Sequence, residues 1–518
     1  MTKSVSAHPS RARSRSWGPL GSILPVAAIA GVLGFILIMA GDLGPKYLVM
    51  VILGYLAIAV GLVFSDKRLF GVWLLAACIP IGFQYNVFSH GSKFSFIDHF
   101  GGALAEPVIN MVDLPIALLA AIWVVDLRLG VKTLPRWSGT DSLLMCLLAA
   151  SLLSLYSTEE YAYFAFEILR YLKYFMVYWI LRTYLDKPIY YWGILAINIG
   201  LLSIQGMVSL LQYFFYFQFP IPVGGVASAD VDLVDNEIIQ RVTGILGHSN
   251  TFAAYLSVIC SVCLIIMFSR VRNLYKIATL PFMLAGLVSL VLTFSRNGWM
   301  VFAVDAIAIG IYALRTKRLS IGYVAAVCCA ALLLVGALAA SGVFDTMMTR
   351  VFRTDDKAFD SRFDLAGVAW EMIQSQPFTG IGLNSFEECM THYDPNHIAH
   401  IIRQPVHNGF LLVAAESGIP ALLILLAVLR LFIRASLRIL KRGGDELHFV
   451  MGLTGLATFW GLGLANMFDV SLRKESVMGL IVLIAAMLVS LARMDEEQAA
   501  QNPAPPPPGR APELHVQI

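Results

Sequence analysis

Apolar runs of 17 or more residues recur along almost the whole of this 518-residue chain, and a helix needs about 20 such residues to cross a bilayer. Backbone placed in hydrocarbon must satisfy its own N–H and C=O groups, and runs of this length do so as helices. The composition agrees: 58% of the residues are apolar and 14% are charged, against about 25% charged in a soluble protein. A net charge of +3 is too small for a polyanion-binding surface, so no nucleic-acid partner is expected. The expected fold class is an all-α polytopic membrane protein with about 12–14 transmembrane helices.

Charged breaks divide the runs into up to fourteen candidate spans. They begin near Leu20, Tyr47, Leu69, Leu114, Ser142, Ala162, Tyr190, Thr251, Ile277, Gly298, Leu319, His407, Phe449 and Val477. The third, from Leu69 to Phe88, contains Pro80 and Gly82; the sixth carries Glu167, Arg170 and Lys173, which suits a re-entrant or interfacial helix. Cytoplasmic loops hold an excess of Lys and Arg. With the amino terminus (Lys3, Arg11, Arg13, Arg15) inside, the inner segments carry 24 of the 37 basic residues. Every short inner loop is then basic: Lys67/Arg68, Arg128/Lys132/Arg136, Arg270/Arg272/Lys276, Arg315/Lys317/Arg318 and Arg430 to Arg442. An even span count keeps both termini cytoplasmic.

The chain divides accordingly. Residues 1–19 read as a basic cytoplasmic tail, 20–217 as an N-terminal transmembrane bundle, 218–492 as a second membrane region with a long outer loop at 341–406, and 493–518 as a disordered Pro-rich cytoplasmic tail. Six of the seven cysteines lie in apolar runs, with Cys260 and Cys263 forming a CxxC between Thr251 and Phe268. They read as small core residues, not as a redox or zinc pair. No repeat of fixed period is visible, which argues against an inverted-repeat transporter.

Two outer loops are long, from Gln218 to Asn250 and from Ser341 to Val406, and loops of this length usually carry function or lack order. The second contains an amphipathic helix pattern, SRFDLAGVAWEMIQ, with Phe363, Ala366, Trp370 and Ile373 on one face. Such a helix can lie flat on a bilayer and roof a cavity. Four residues on this side stand beside turns rich in Gly and Asn. Arg241 lies in QRVTGILGHSN. Arg296 lies in TFSRNGW, a turn tight enough to set spans nine and ten side by side. Arg362 starts the amphipathic helix, and His407 stands where the long loop enters the twelfth span. Singly, an arginine at a helix end snorkels to head groups and a histidine there is a polar cap; the four together, all on one side, point to a shared site.

These residues carry a family resemblance. HNGFLLVAAESGIPALL resembles the His-Asn-x-x-Leu-(x)4-Glu-x-Gly segment of the O-antigen ligase and O-antigen polymerase family, bacterial membrane glycosyltransferases that include exopolysaccharide polymerases. RVTGILGHSNTFAAYL is similar to its Arg-x-x-Gly-(x)4-Asn segment, TFSRNGW to its Ser-Arg segment, and SRFDLAGVAWEMIQSQPFTGIGLNSF to the stretch with Arg, Trp and Pro-x-x-Gly-x-Gly. The likeness spans roughly residues 236–430; the first half of the chain matches only as a run of helices. His248 stands where the family more often has proline.

The resemblance implies a multi-pass protein of the bacterial inner membrane with its active site facing the periplasm. The donor would be a glycan on undecaprenyl pyrophosphate and the acceptor a sugar hydroxyl on a glycan or lipid core; membrane lipids and polysaccharide export or chain-length proteins would be partners. Charge growing on a pyrophosphate leaving group calls for fixed cations, and arginine pairs with phosphate oxygens through a planar fork. Arg241 and Arg296 are the candidates, with Arg362 a further one. The acceptor hydroxyl must lose a proton, which suits His407 as general base, since histidine titrates near pH 6.5 when unperturbed. Direct displacement of this kind inverts the anomeric carbon. Asn250 and Asn408 belong to the same segments, where helix capping is their default role, and His397 and His400 are candidates to touch sugar. Glu416 lies nine residues after His407, about 900° of rotation and about 13 Å of rise along a regular helix; it reads as a network residue inside the bundle.

No cofactor or metal is expected. Asp230-Val231-Asp232 resembles the DxD of metal-dependent sugar-nucleotide transferases, but those act at the inner leaflet. His392, His397, His400 and Asp394 form a histidine-rich stretch that reads as solvated loop rather than a zinc site. The rival function is a transporter or flippase of lipid-linked glycan or a small anion, which would place ionisable residues near the bilayer midplane; Asp305 and Glu416 are the main charges inside spans.

Overall fold

The computed structural model describes residues 61, 64–82, 84–86, 108–216, 230–234, 237–319, 356–394, 396–397, 404–443 and 445–501, with isolated positions between 322 and 348. The spans expected near Leu20 and Tyr47, most of the one near Leu319, and the tail beyond Gln501 lie outside them.

Helices dominate: α1 (Lys67–Cys78), α2 (Asp113–Arg128), α3 (Gly139–Leu153), α4 (Tyr161–Tyr184), α5 (Pro188–Phe215), α6 (Ser249–Phe268), α7 (Asn273–Leu292), α8 (Arg296–Arg315), α9 (Asp356–Ser375), α10 (Gly409–Arg442), α11 (Glu446–Leu456) and α12 (Glu475–Gln501). After α11 the chain winds as a π-helix over Ala457–Gly461 and ends in a short helix, Leu462–Ala465. Eight helical segments among the described residues are long and apolar enough to cross a membrane: α3, α5, α6, α7, α8, α10, α11 with its extension, and α12. This is an all-α polytopic membrane protein. Two small antiparallel ladders join outer segments, β1 (Gln84–Asn86) with β2 (Val108–Asn110) and β3 (Asp230–Val234) with β4 (Glu237–Arg241).

The third expected span is a twelve-residue helix. It stops before Pro80, and Gly82 N–H donates to Ile245 O (3.1 Å), so the chain leaves the helix to pair with the segment preceding α6. The sixth, α4, is one continuous helix of 24 residues, about 36 Å long, and its charges are paired. Glu167 meets Arg170 and Arg182 meets Asp141; Lys173 lies 3.2 Å from Asp113 and 3.4 Å from Glu475. Those pairings let a helix this polar pack inside the bundle. At the other boundary, α12 stays helical to Gln501, past the start at 493 expected for the tail.

Helix α6 is the axle. Its apolar window is buried throughout, because Ala253, Ala254, Ser257, Cys260, Ser261 and Cys263 keep its faces thin. A Cβ on Gly298 would sit 2.6 Å from Ala253 Cβ, so α8 lies flush against it. The 293–295 turn was expected to set spans nine and ten side by side. Instead α7 packs chiefly on α5 and then on α6, α8 packs chiefly on α6, and the two meet each other only beside the turn, where Trp299 Nε1 donates to Leu290 O (2.8 Å).

Helices alternate in direction, so the basic turns gather at one end. Arg68 grips Asp126 (2.7 and 2.8 Å), Lys132 meets Asp186 (2.6 Å), and Arg318 meets Glu446 (2.7 Å). His448 sits between Asp445 (2.7 Å) and Asp495 (2.8 Å). The segments that resemble the family signatures gather at the opposite end.

The amphipathic helix exists as α9, and beside the stripe of Phe363, Ala366, Trp370 and Ile373 it carries a second apolar stripe that packs on the protein. Leu365, Val368, Ala369, Met372 and Ile373 turn inward, whereas Phe363 and Trp370 are 63% and 55% exposed. Both stripes have helical spacing; the inward one is the stripe that packs against α10 and the loop behind it.

Candidate active site

The signature end is built from four segments. In the first, Arg241 ends β4 and is buried. Its Nε donates to Thr293 O (2.9 Å) and its Nη2 to Asn250 Oδ1 (2.6 Å). Two buried glutamines of α5 hold the next residues: Gln212 Oε1 accepts from Thr243 and Gly244 N–H (3.0 Å each), and Gln205 Oε1 accepts from Ile245 N–H (2.9 Å). Asn250 does not cap α6 as expected. The cap is His248, whose Nδ1 accepts from Asn250 N–H (3.2 Å); Asn250 lies inside the first turn, and its carboxamide is committed to Arg241.

The second segment is the turn from α7 to α8. Phe294 takes a left-handed φ of 49° and Ser295 caps α8 through Gly298 N–H (3.4 Å). Arg296 then projects from the first helical position, exposed, and among the described residues it makes no hydrogen bond or ion pair. Its cation adds to the positive end of the helix dipole. The neighbouring Asn297 donates to Ala465 O (3.0 Å).

The third segment enters α10. Asn408 is its cap, accepting from Phe410 and Leu411 N–H (3.0 Å each). His407, half-buried, immediately precedes it. Burial lowers the His407 pKa below its ordinary 6.5, Arg362 and Lys474 push it the same way, and Asp469 opposes them. Arg362 is exposed on α9, close enough for His407 to feel its charge.

Glu416 follows, buried in α10 just before a break at Gly418 (φ 83°) and Pro420. The break frees two carbonyls and an N–H, and the Pro377–Gly382 turn takes them up. Ile381 N–H donates to Ala415 O (2.9 Å), Gly382 N–H to Glu416 O (3.1 Å), and Ile419 N–H to Pro377 O (2.8 Å). Both key glycines are required: a Cβ on Gly418 would lie 2.3 Å from Phe378 O, and one on Gly380 would lie 2.3 Å from Glu416 C. The Gly-x-Gly and Glu-x-Gly signatures are thus two halves of one joint.

The fourth segment, residues 466–475, carries functional groups that the motif search passed over. Asn466 O and Asp469 O both accept from Gly409 N–H (2.7 and 3.2 Å), and Asn466 Oδ1 accepts from Leu472 N–H (3.0 Å). Arg473 Nη2 reaches Glu416 Oε1 and Oε2 (2.9 and 2.8 Å) and Asn384 Oδ1 (3.1 Å), while Arg170 Nη1 donates to Arg473 O (2.5 Å). One signal was available. A carboxylate inside a span needs a partner, and Arg473 and Lys474 are basic residues on the same side as the signatures.

Three contacts tie together the segments that carry Arg241, Arg296 and His407: Arg241 to Thr293, Asn297 to Ala465, and Gly409 to Asn466; the Arg296 and His407 side chains take no part in them. His397 lies on an exposed turn with φ 55°; its neighbour Asn396 donates to Asp364 Oδ1 (2.9 Å), which ties that turn to α9 two residues from Arg362. His400 lies outside the described residues. Asp230 and Asp232 pair in register with Arg241 and Ile239. His392 is exposed, 3.9 Å from Glu159. Beneath the site runs an apolar cavity of about 200 Å³ between α3, α4, α10 and α12. Glu416, Arg473, Asn466 and Gly409 help to line it; Arg241, Arg296 and His407 do not.

Residues 281–426 match the family model for O-antigen ligase. That stretch runs from within α7 to within α10 and takes in Arg296, Arg362, His407 and Glu416; Arg241, Asn250 and Arg473 fall outside it. No curated protein matches the chain. Over those residues this multi-pass membrane protein is similar to the O-antigen ligase family, and the match takes in three of the four signature segments.

Proposed function

We propose that this protein is a membrane glycosyltransferase that moves a glycan from undecaprenyl pyrophosphate to a sugar hydroxyl, at the periplasmic face of a bacterial inner membrane. The observation that carries the proposal is the pairing of an open guanidinium, Arg296, with a half-buried imidazole held below its usual pKa, His407, at the same end of the bundle. The basic end is the cytoplasmic one by its charge, so this end faces the periplasm.

In the reaction, a neutral His407 takes the proton of the acceptor hydroxyl as its oxygen attacks the anomeric carbon. The bond to the pyrophosphate breaks on the opposite face, giving inversion. Arg296 meets the growing negative charge, Arg241 adds a fixed charge behind the turn that carries Arg296, and Arg362 faces the site from α9. Asn408 serves by fixing the first turn of α10 and Asn250 by orienting Arg241; His397, with His400, contacts sugar. Charge compensation by arginine makes the reaction metal-independent: activity that vanished with chelator and returned with a divalent cation would overturn this.

Among acceptors we favour a growing exopolysaccharide or O-antigen repeat over a lipid core. Purified protein with a defined undecaprenyl-pyrophosphate-linked oligosaccharide tests the proposal: a ladder of products means a polymerase, a single transfer to added lipid core means a ligase, and no transfer to either sinks the enzymatic assignment.

A further inference from the structure

A regular helix would put Glu416 on the far side of α10 from His407, yet both belong to one signature. The hydrogen bonds suggest how they communicate. Glu416 is 2% exposed and holds Arg473 with both oxygens (2.9 and 2.8 Å). Arg473 is fixed a second time, since Asn384 accepts from its Nη2 (3.1 Å) and its carbonyl accepts from Arg170 (2.5 Å); Arg170 is in turn paired with Glu167. With its guanidinium held from α10 and from the loop after Gly382, and its backbone carbonyl held from α4, Arg473 cannot shift without moving the short turn that contains it.

That turn is what faces His407. Asn466 O and Asp469 O receive the N–H of Gly409, two residues after His407. The side chain of Asp469 is anchored by Val470 N–H (2.8 Å) and Ser471 Oγ (3.4 Å). The charged groups acting on His407 are Asp469 and Lys474 from the turn and Arg362 from α9. Lys474 and Arg362 disfavour a proton on the imidazole before reaction, while Asp469 compensates the imidazolium that forms when the proton arrives.

We propose that the buried Glu416–Arg473 pair is a positioning device for His407, acting through the 466–474 turn that presents Asp469 and Lys474 to the imidazole. This rests on His407 being the base. Glu416 is then a positioning residue that touches neither donor nor acceptor.

The test uses the full chain in lipid nanodiscs with histidine labelled at carbon Cε1, the His407 resonance being assigned by its loss in His407→Ala. Its titration midpoint is compared with that of conservative variants which keep the fold, as checked by size-exclusion profile. Lys474→Met raises the midpoint and Asp469→Asn lowers it. Glu416→Gln and Arg473→Lys loosen the turn, admit water to the ring and move the midpoint up toward the ordinary value, by about half a unit or more. In a glycosyl-transfer assay the same two variants lower kcat about tenfold with donor KM little changed, and the acid limb of the kcat profile follows the midpoint. A midpoint unmoved by Glu416→Gln and Arg473→Lys overturns the proposal, even if their activity falls, and so does one unmoved by Lys474→Met and Asp469→Asn. Full activity in His407→Ala would instead sink the assignment of the base, which separates the two failures.

Discussion

At the scale of single residues, the site distributes its chemistry unevenly. Arg241 has its Nε and Nη2 engaged with Thr293 and Asn250, whereas Arg296 is open to a ligand, so the two arginines should fail differently. Arg296→Ala removes a cation aimed at the leaving group and should cut kcat by about 10²- to 10³-fold while the protein accumulates normally. Arg241→Ala strips a buried staple and should lower the melting temperature as well as activity. His407 carries a pH prediction. Its folded-state pKa lies below 6.5, so the unfolded chain binds the proton more readily, and the stability it contributes is present above pH 6.5 and lost as pH falls through the lowered value. A neutral base is needed for reaction, so activity should persist to pH values below 6.5 and then fall with an acid limb that His407→Ala abolishes together with turnover. Asn408 has a separate job: Asn408→Ala leaves two N–H groups of α10 uncapped and should cost about 1 kcal/mol of stability by thermal melting.

At the scale of elements, the apolar runs disclosed which segments become helices, because length and hydropathy decide that locally. They did not disclose what covers each helix. Glu167, Arg170 and Lys173 in α4 suit a re-entrant segment in the sequence; in the fold Glu167 and Arg170 pair with each other, and other helices bring Asp113 and Glu475 to Lys173. The two apolar stripes of α9 are equivalent in sequence, and only the neighbours of Leu365 and Met372 choose between them. The 466–475 turn looks like a short polar connection, because Arg473 finds Glu416 across 57 residues and no local spacing encodes that contact. The signature glycines were legible as motifs, and their reason is the joint between the Pro377–Gly382 turn and the break in α10. Gly418→Ala should therefore cost about 1–3 kcal/mol, seen as a lower melting temperature, with Glu416 displaced; wild-type stability in that variant would mean the joint is dispensable.

At the scale of the molecule, charge sorts the ends of the bundle. Ion pairs link the basic turns at one end, while the other gathers the signatures. If the basic end is cytoplasmic, a cysteine at Lys317 should react with a membrane-impermeant maleimide only after cells are opened, whereas one at Asn396, exposed at the site end, should react in intact spheroplasts. Labelling of both from the same side would reverse or abolish the orientation.

The burial of α6 on every side has a bearing on how such a chain is made. This segment is hydrophobic enough to enter lipid on its own as it leaves the ribosome, yet in the finished protein its apolar window touches only other helices. It must trade a complete coat of lipid for a coat of α5, α7, α8 and α11, three of which are synthesised after it. Closure around this helix is therefore a late event in biogenesis, and chains interrupted between α6 and α8 should be the ones that quality control finds and degrades.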